Sequence, residues 1–323
     1  MELTPDFSIS INGSSTFPKD RVISIRVTDE AGIVSDSCEI ELDDFEGALQ
    51  FPNTEAKMVV SLGYKETGLT QVGTYFVKEV SIDGARHTVR IQANAVSKAM
   101  KSQKTKSNEG TISDYASNMA EDFDLDSAVN SDLQNLDLED NPQFGESDMN
   151  YLTRMSQKVG AVAKPVDGHL VVADDMSSKS ISGKNLPTKY LDASDVVNYS
   201  CSFKETETTG GFSGTVFANW YDKNSGEYHL IHVGSGDPET ELNEIFKSEE
   251  EAKAAAQAKF KRTSKSNKTF KFSVAGRTDL FAESPIVLRG FNSKIPKNWI
   301  IIRVEHSLSS SGFVTSVDCC NGG

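Results

Sequence analysis

The chain has 323 residues, which suffice for two domains or for three if one is small, and its hydrophobic content of 37% argues against a disordered chain. The net charge of −14 argues against general nucleic-acid binding, because phosphate contacts need clustered lysine and arginine. No apolar run approaches the ~20 residues that span a bilayer and the start lacks a signal-peptide pattern, so we expect a soluble protein made in a cytoplasm, without stable membrane insertion.

The first 105 residues show the alternation that is typical of half-buried strands. In the segment "DRVISIRVTDEAGIVSDSCEIELDD", which begins at Asp20, apolar and polar side chains alternate on both sides of the turn-like "DEAG". A strand with one buried face requires this period of two, because successive side chains point to opposite faces. Further strand patterns follow at short intervals, and this spacing predicts a small β-sandwich or β-barrel.

The next region has a mixed pattern of helices and strands. It begins with the polar segment "KSQKTKSNEG", after which apolar residues recur at helical spacing with Thr111 or Ser113 as the candidate N-cap. A second helix is predicted between Ser147, as its cap, and Gly160, where the helix would end. The segment "HLVVAD" then has the composition of a strand. These patterns predict a compact α+β insert.

A second β-rich region starts near Lys189 and contains one helix, "SEEEAKAAAQAKFKR". Ser248 and Glu251 match a capping box, and the early acidic residues suit the positive end of the helix dipole. Strand patterns follow to the end of the chain. The predicted fold is therefore mainly β with an α+β insert. Its predicted divisions are a first β region (1–105), the insert (106–185) and a second β region (186–323), whose helix covers about 248–262.

The sequence contains no recognisable catalytic or metal-binding motif. Asp122, Asp124 and Asp126 match the first three ligand positions of a calcium loop, but Ser127 and Leu133 replace the glycine and the bidentate glutamate that such a loop needs. No nucleophile elbow and no zinc-protease motif is present. We therefore expect no catalytic residue, no metal site and no cofactor.

The charges are distributed unevenly along the chain. The segment from Glu109 to Asp148 has no lysine or arginine, whereas the segment from Lys253 to Lys271 is basic and has no acidic residue. Solvated faces usually explain such an asymmetry; the alternative is that acidic and basic surfaces of separate copies meet and orient assembly. On that alternative, the candidate interface residues are Lys259, Lys261 and Arg262 on the helix, and Asp122, Asp124 and Asp126 in the acidic segment.

Three longer segments indicate a family relationship. They are "DRVISIRVTDEAGIVSDSCEIELDDFEG" with the later "LGY", "GESDMNYLTRMSQKVGAVAKPVDGHLVVAD", and "VAGRTDLFAESPIVLRGF" with "WIIIRVEHSLSSSGFVTSVD". In this order they resemble the phage late-control protein D family, the tail hub proteins of contractile-tailed phages and related pyocins. The middle segment also resembles the N-terminal hub region of type VI secretion VgrG spikes. One departure is visible: family members often carry glycine where this chain has Ala282 or Glu283.

This resemblance implies that the β regions are two related small β-barrels that flank the insert. Three copies would form a ring of six barrels, and such a homotrimer would adapt a sixfold tail tube to a threefold central spike. The implied partners are other copies of the chain, the tail tube or a tube-initiator protein, the central spike protein, the tape-measure protein and the baseplate wedge proteins. The implied location is the tail baseplate of the virion, after synthesis in the bacterial cytoplasm.

Other functions remain open on the sequence alone. The hub of a pyocin or of a type VI-like injection system would have the same mechanical task. A cell-wall-degrading tail protein would need a further domain of about 100 residues, for which the predicted regions leave no room. A carbohydrate-binding tail protein would need exposed aromatic rings; Trp299 lies in a strand that we expect to be buried, so only Trp220 supports this alternative.

Overall fold

The structure is a computed structural model that describes residues 3–14, 17–135, 137, 141–175, 177–203, 214–265 and 268–321. These residues form twenty β-strands and three α-helices. Two of the helices lie in the middle of the chain and one lies in its last third. The predicted fold class, mainly β with an α+β insert, is therefore confirmed.

Six strands form the first β region: β1 (Pro5–Ile11), β2 (Val22–Glu30), β3 (Ser37–Asp43), β4 (Lys57–Tyr64), β5 (Gly68–Asp83) and β6 (Thr88–Asn94). The hairpin of β2 and β3 follows the predicted alternation. Ile25 lies opposite Ile40 and Val27 lies opposite Cys38, and all four side chains are buried. Ile23 is 40% exposed, at the end of β2 where the pairing register shifts.

The middle region contains β7 (Gln103–Lys106), α1 (Ile112–Asp122), β8 (Asp126–Val129), β9 (Gln143–Ser147), α2 (Asp148–Lys158), β10 (Ala161–Val166) and β11 (His169–Asp174). The Thr111 hydroxyl accepts a hydrogen bond from the Asp114 amide at 3.2 Å, and the Asp114 carboxylate accepts one from the Thr111 amide at 2.9 Å. This reciprocal pair identifies Thr111, and not Ser113, as the N-cap of α1. The Ser147 hydroxyl caps α2 by accepting from the Asn150 amide at 3.2 Å.

The last region contains β12 (Lys189–Asp192), β13 (Val196–Phe203), β14 (Gly214–Asp222), β15 (Glu227–Ser235), β16 (Glu239–Phe246), α3 (Glu249–Lys265), β17 (Lys268–Ala275), β18 (Pro285–Arg289), β19 (Asn298–Ser309) and β20 (Gly312–Asn321). The Ser248 hydroxyl accepts from the Glu251 amide at 3.2 Å, so α3 begins where the sequence predicts it. The helix lies on a separate three-stranded sheet in which β14 lies between β15 and β16.

One 12-stranded sheet joins the first and last regions. Its main path runs β1-β4-β5-β6-β3-β2-β19-β20-β17-β13, and β18 connects β12 to β19. The junction is the antiparallel pair of β2 and β19, whose register runs from Glu30 opposite Arg303 to Ser24 opposite Ser309. Among the strands that the structure describes, the hydrogen-bonded path is open at β1 and β13 and does not close into a barrel.

The buried side chains form four clusters, and the cluster of the first β region extends beyond that region. Leu308 and Phe313, at the tip of the β19–β20 hairpin, pack into it. The Tyr64 and Phe313 rings lie 5.6 Å apart, and the Tyr64 hydroxyl donates to the Gly276 carbonyl at 3.2 Å. The last hairpin therefore contributes to the cores at both ends of the large sheet, while the predicted division into three domains stays a prediction.

Candidate assembly surfaces

Two of the basic candidates on α3, Lys259 and Lys261, border clefts between the helix and the turn that follows α2. Lys259 and Lys261 are exposed, and the side chain of Arg262 lies outside the described residues. The opposite side of the helix is apolar and packs on the sheet, and its small side chains allow a close approach. Its buried contacts with β14 and β16 come from Ala252, Ala255, Ala256, Val216, Ala218 and Phe246.

The same helix contacts the turn that follows α2. Gly160 has a positive φ of +73°, and a Cβ atom there would lie 2.8 Å from the Ala258 Cβ atom. Nearby, the Lys158 Nζ atom lies 2.8 Å from a Glu244 carboxylate oxygen. The helix α3 therefore packs against both its own sheet and the middle region.

The acidic candidates lie at and beyond the end of α1. Asp122 is its last residue and is exposed. The side chain of Asp124 is 99% exposed and lies 3.6 Å from the Lys57 Nζ atom. Asp126 lies 3.8 Å from a ring nitrogen of His169. Exposed pairs at such distances contribute little to stability, so these carboxylates can still interact with another molecule.

A buried charged group that the sequence analysis missed is centred on Lys164 of β10. Its Nζ atom donates to the Asp36 carboxylate at 2.9 Å and to the Glu30 carbonyl, and it lies 3.9 Å from an Asp29 carboxylate oxygen. The acidic partners belong to β2 and to the turn before β3, whereas the lysine belongs to the middle region. The signal in the sequence was a lysine inside the otherwise apolar strand "AVAKPV".

Glu283 completes this charged group from the last region. It lies in the loop before β18 and lines the same cavity as Asp29, Asp36 and Lys164. Its φ of +67° is in the left-handed region, which favours glycine. At this position the backbone conformation favours glycine, and the chain has a carboxylate there.

The comparison with known proteins decides the family. A family model described as phage tail baseplate hub (GPD) matches residues 86–312 of the chain. The chain belongs to the phage tail baseplate hub family. It is also 27% identical to the probable baseplate hub protein of Escherichia phage 186, over 98% of this chain and 92% of that protein. The hub is thus a structural component of a contractile phage tail, as the sequence resemblance implied.

Solved structures confirm the fold of the hub. A tail protein from Neisseria meningitidis MC58 is 12% identical, with a TM-score of 0.69, over 99% of this chain and 97% of that one. A component of the Escherichia coli type VI secretion system is 11% identical, with a TM-score of 0.59, over 98% of this chain and 77% of that one. The resemblance to type VI secretion proteins is therefore confirmed for the fold.

A second buried network in the hub fixes the middle region internally. The Asp148 carboxylate accepts hydrogen bonds from Lys104 at 2.5 Å, from Tyr115 at 2.9 Å and from Gln143 at 3.0 Å. Burial alone would raise the pKa of Asp148, but these donors outweigh it and hold the pKa below its ordinary value. These hydrogen bonds tie β7, α1 and β9 to the start of α2.

The two tryptophans of the hub serve packing. Trp299 is buried, as predicted, and its ring nitrogen donates to the Pro296 carbonyl at 2.6 Å. Trp220 is partly buried against the core beneath α3 and stacks on His229, with ring centroids 4.8 Å apart. A sugar needs an open ring face for stacking, and His229 covers one face of Trp220. Separately, none of the helices among the described residues is long and apolar enough to cross a membrane.

Proposed function

We propose that the protein is the homotrimeric hub at the centre of the baseplate and that it adapts a sixfold tail tube to a threefold central spike. The observation that supports this proposal is the pairing of β2 with β19, which joins two β regions of one chain in a single sheet. Three such chains would present six β regions in a ring. An isolated chain would leave the edges of β1 and β13 unpaired among the described strands, and assembly is one way to cover such edges.

The proposed neighbours follow from this position in the baseplate. The tail tube or its initiator protein would contact one end of the ring and the central spike protein the other, with the tape-measure and wedge proteins in further contact. A trimer that holds these partners needs contacts well above ~1,000 Å² between chains.

Light scattering over a concentration series tests the oligomeric state. We expect a mass of three chains that is stable on dilution. A monomer at every concentration, both alone and with the purified spike protein, would contradict the trimer.

At the residue level, we propose that Lys259, Lys261 and Arg262 of one copy face Asp122, Asp124 and Asp126 of the next. Exposed ion pairs contribute about 0.2–1 kcal/mol each, so three reversed charges should weaken the trimer and raise its dissociation constant by about tenfold. The test is the dissociation constant of a variant with Lys259→Glu, Lys261→Glu and Arg262→Glu, measured at low salt.

The matched control changes three other exposed lysines to glutamate, at Lys65, Lys294 and Lys297. It alters the net charge equally, so it should leave the trimer unchanged if the proposed pairs are specific. A chain that carries the three glutamates on α3 and also has Asp122, Asp124 and Asp126 changed to lysine should assemble again, because the charges are then complementary. Assembly that is unaffected by the helix variant would show the pairing to be wrong.

The proposed role is structural, without a catalytic step. The geometry of Glu146 supports this: its carboxylate lies 2.5 Å from the Arg154 guanidinium, in an ion pair within the middle region. A zymogram on peptidoglycan tests the point, and a lysis band at the mass of the chain would overturn it.

A further inference from the structure

Lys164 lies where the three parts of the chain meet. The lysine comes from the middle region, Asp29 and Asp36 come from the first β region, and Glu283 comes from the last. Two hydrogen bonds reinforce the junction: the Ala282 amide donates to the Asp29 carboxylate at 2.8 Å, and the Glu30 amide donates to the Asp36 carboxylate at 3.1 Å. We propose that this group is a proton-dependent latch, which holds the middle region against both β regions when protonated and loosens when deprotonated.

The cavity beside the latch has a volume of about 590 Å³, so the junction is not completely packed. Its walls carry more acidic than basic groups near the lysine. The charged and titratable groups that face the latch are Asp29 and Glu30 on β2, Asp36 before β3, Tyr75 on β5, Asp175 after β11, Glu283 before β18, Arg303 and His306 on β19, and, farther along the cavity, Asp167, Lys179, Lys189 and Asp279.

The carboxyl groups of the latch bind protons more tightly than usual. Burial, reinforced by the neighbouring Asp36, raises the pKa of Asp29 to about 6. Burial also raises the pKa of Glu283 to about 7, although Lys164 acts in the opposite direction. The pKa of Asp36 is raised as well, again by burial. One lysine cannot neutralise three carboxylates in a largely buried site, so bound protons neutralise the remaining negative charge.

The sign of the pH dependence follows from these raised pKa values. A carboxyl that holds its proton more tightly in the latched state stabilises that state at low pH, and this stabilisation is lost as the pH rises through the raised pKa. The window is therefore about pH 5 to 7. His306 does not contribute there, because burial lowers its pKa to about 4 and it stays neutral across the window.

Hydrogen exchange of two backbone amides beside the latch measures its opening. The Ala31 amide donates to the Ile302 carbonyl and the Glu283 amide donates to the Ile301 carbonyl, both at 2.8 Å. Neither acceptor titrates, so their exchange reports opening and not the loss of an acceptor. After correction for intrinsic exchange, we expect the equilibrium constant for opening to increase at least about tenfold between pH 5 and pH 7. The reason is that each carboxyl with a raised pKa can change this constant by up to tenfold per pH unit.

Two variants make the test specific. Glu283→Gln removes a proton-binding group and should flatten the pH dependence, whereas Glu227→Gln, at an exposed position on β15, should leave it unchanged. Amides that pair β3 with β6 serve as an internal reference for global unfolding. If the wild-type amides beside the latch show no increase between pH 5 and 7 beyond that reference, the latch does not exist. This readout needs no variant and no trimer, so its failure is distinct from a failure of the proposed assembly.

Discussion

At the scale of single residues, Glu283 combines two unfavourable features. Its backbone is left-handed, with φ at +67°, and its carboxyl is placed among other acids. A non-glycine residue in this conformation costs about 1 kcal/mol or more, and it persists only when its surroundings hold it there. The charge of the nearby Lys164 favours the ionised carboxyl and offsets part of this cost, but burial outweighs it and raises the pKa of Glu283.

Replacing this glutamate with glycine should stabilise the hub in a pH-dependent way. For Glu283→Gly we expect a gain of about 2 kcal/mol at pH 8, from relief of the backbone and removal of the acid, and about 1 kcal/mol at pH 5, where only the backbone contributes. Urea unfolding at both pH values measures the difference. Asn12→Gly is the control: Asn12 also has a positive φ, at +49°, and its side chain does not titrate, so the effect of this substitution should not vary with pH.

At the scale of secondary-structure elements, the packing of α3 depends on one glycine in another region. Gly160 ends the segment after α2 with a positive φ, and it leaves no room for a side chain opposite Ala258. Two constraints, backbone conformation and close approach, therefore fall on the same residue. The consequence is that the position of α3, with its lysines, is set by the middle region as well as by the sheet beneath it.

The two constraints at Gly160 can be separated by substitution. Gly160→Ala should destabilise the hub by about 2–4 kcal/mol, because the new methyl group adds overpacking to the backbone cost. Gly47→Ala should cost only about 1 kcal/mol, since Gly47 also has a positive φ but no atom within 4 Å of the added Cβ. Adding Ala258→Gly to the Gly160→Ala variant should remove the contact between the two methyl groups. The stability loss should then fall to that of Gly47→Ala. Equal losses at both glycines in urea unfolding would contradict the close contact.

These elements also show where sequence reasoning works and where it stops. The caps at Thr111, Ser147 and Ser248 could be predicted because a cap is formed by residues three apart, and the pattern that encodes it is local. The group around Lys164 could not, because its members are distant in sequence and meet only when three regions pack. The family resemblance drew attention to Ala282 or Glu283, and only the backbone angle of Glu283 distinguishes between the two positions.

At the scale of the whole molecule, the first and last regions share one sheet and parts of one core. The edge of β2 is covered by β19, and the tip of the last hairpin packs into the core of the first region through Leu308 and Phe313. The first region therefore shares its packing with the end of the chain, while the predicted boundary at residue 105 stays a prediction. The alternating pattern predicted the strands well, but it could not predict a pairing between strands so far apart.

This shared sheet predicts how fragments behave. Residues 1–105 alone should not form a stable monomer, because β2 loses its partner strand and the core loses two apolar side chains. Linking residues 298–321, the β19–β20 hairpin, through a flexible segment should restore folding. Circular dichroism and thermal unfolding of the two fragments measure the difference. A cooperative transition in the short fragment would mean that the first region folds independently.

The pairing of β2 with β19 cannot form on the ribosome until nearly the whole chain has been translated. About 270 residues separate the end of β2 from the start of β19, and at 5–20 residues per second their translation takes on the order of 15 to 50 s. Throughout that interval the nascent chain carries an exposed strand edge, which can pair with a neighbouring chain on the same messenger. The large sheet, once complete, joins the earliest and latest parts of the chain, so production of intact hub should depend on protection of β2 until translation ends.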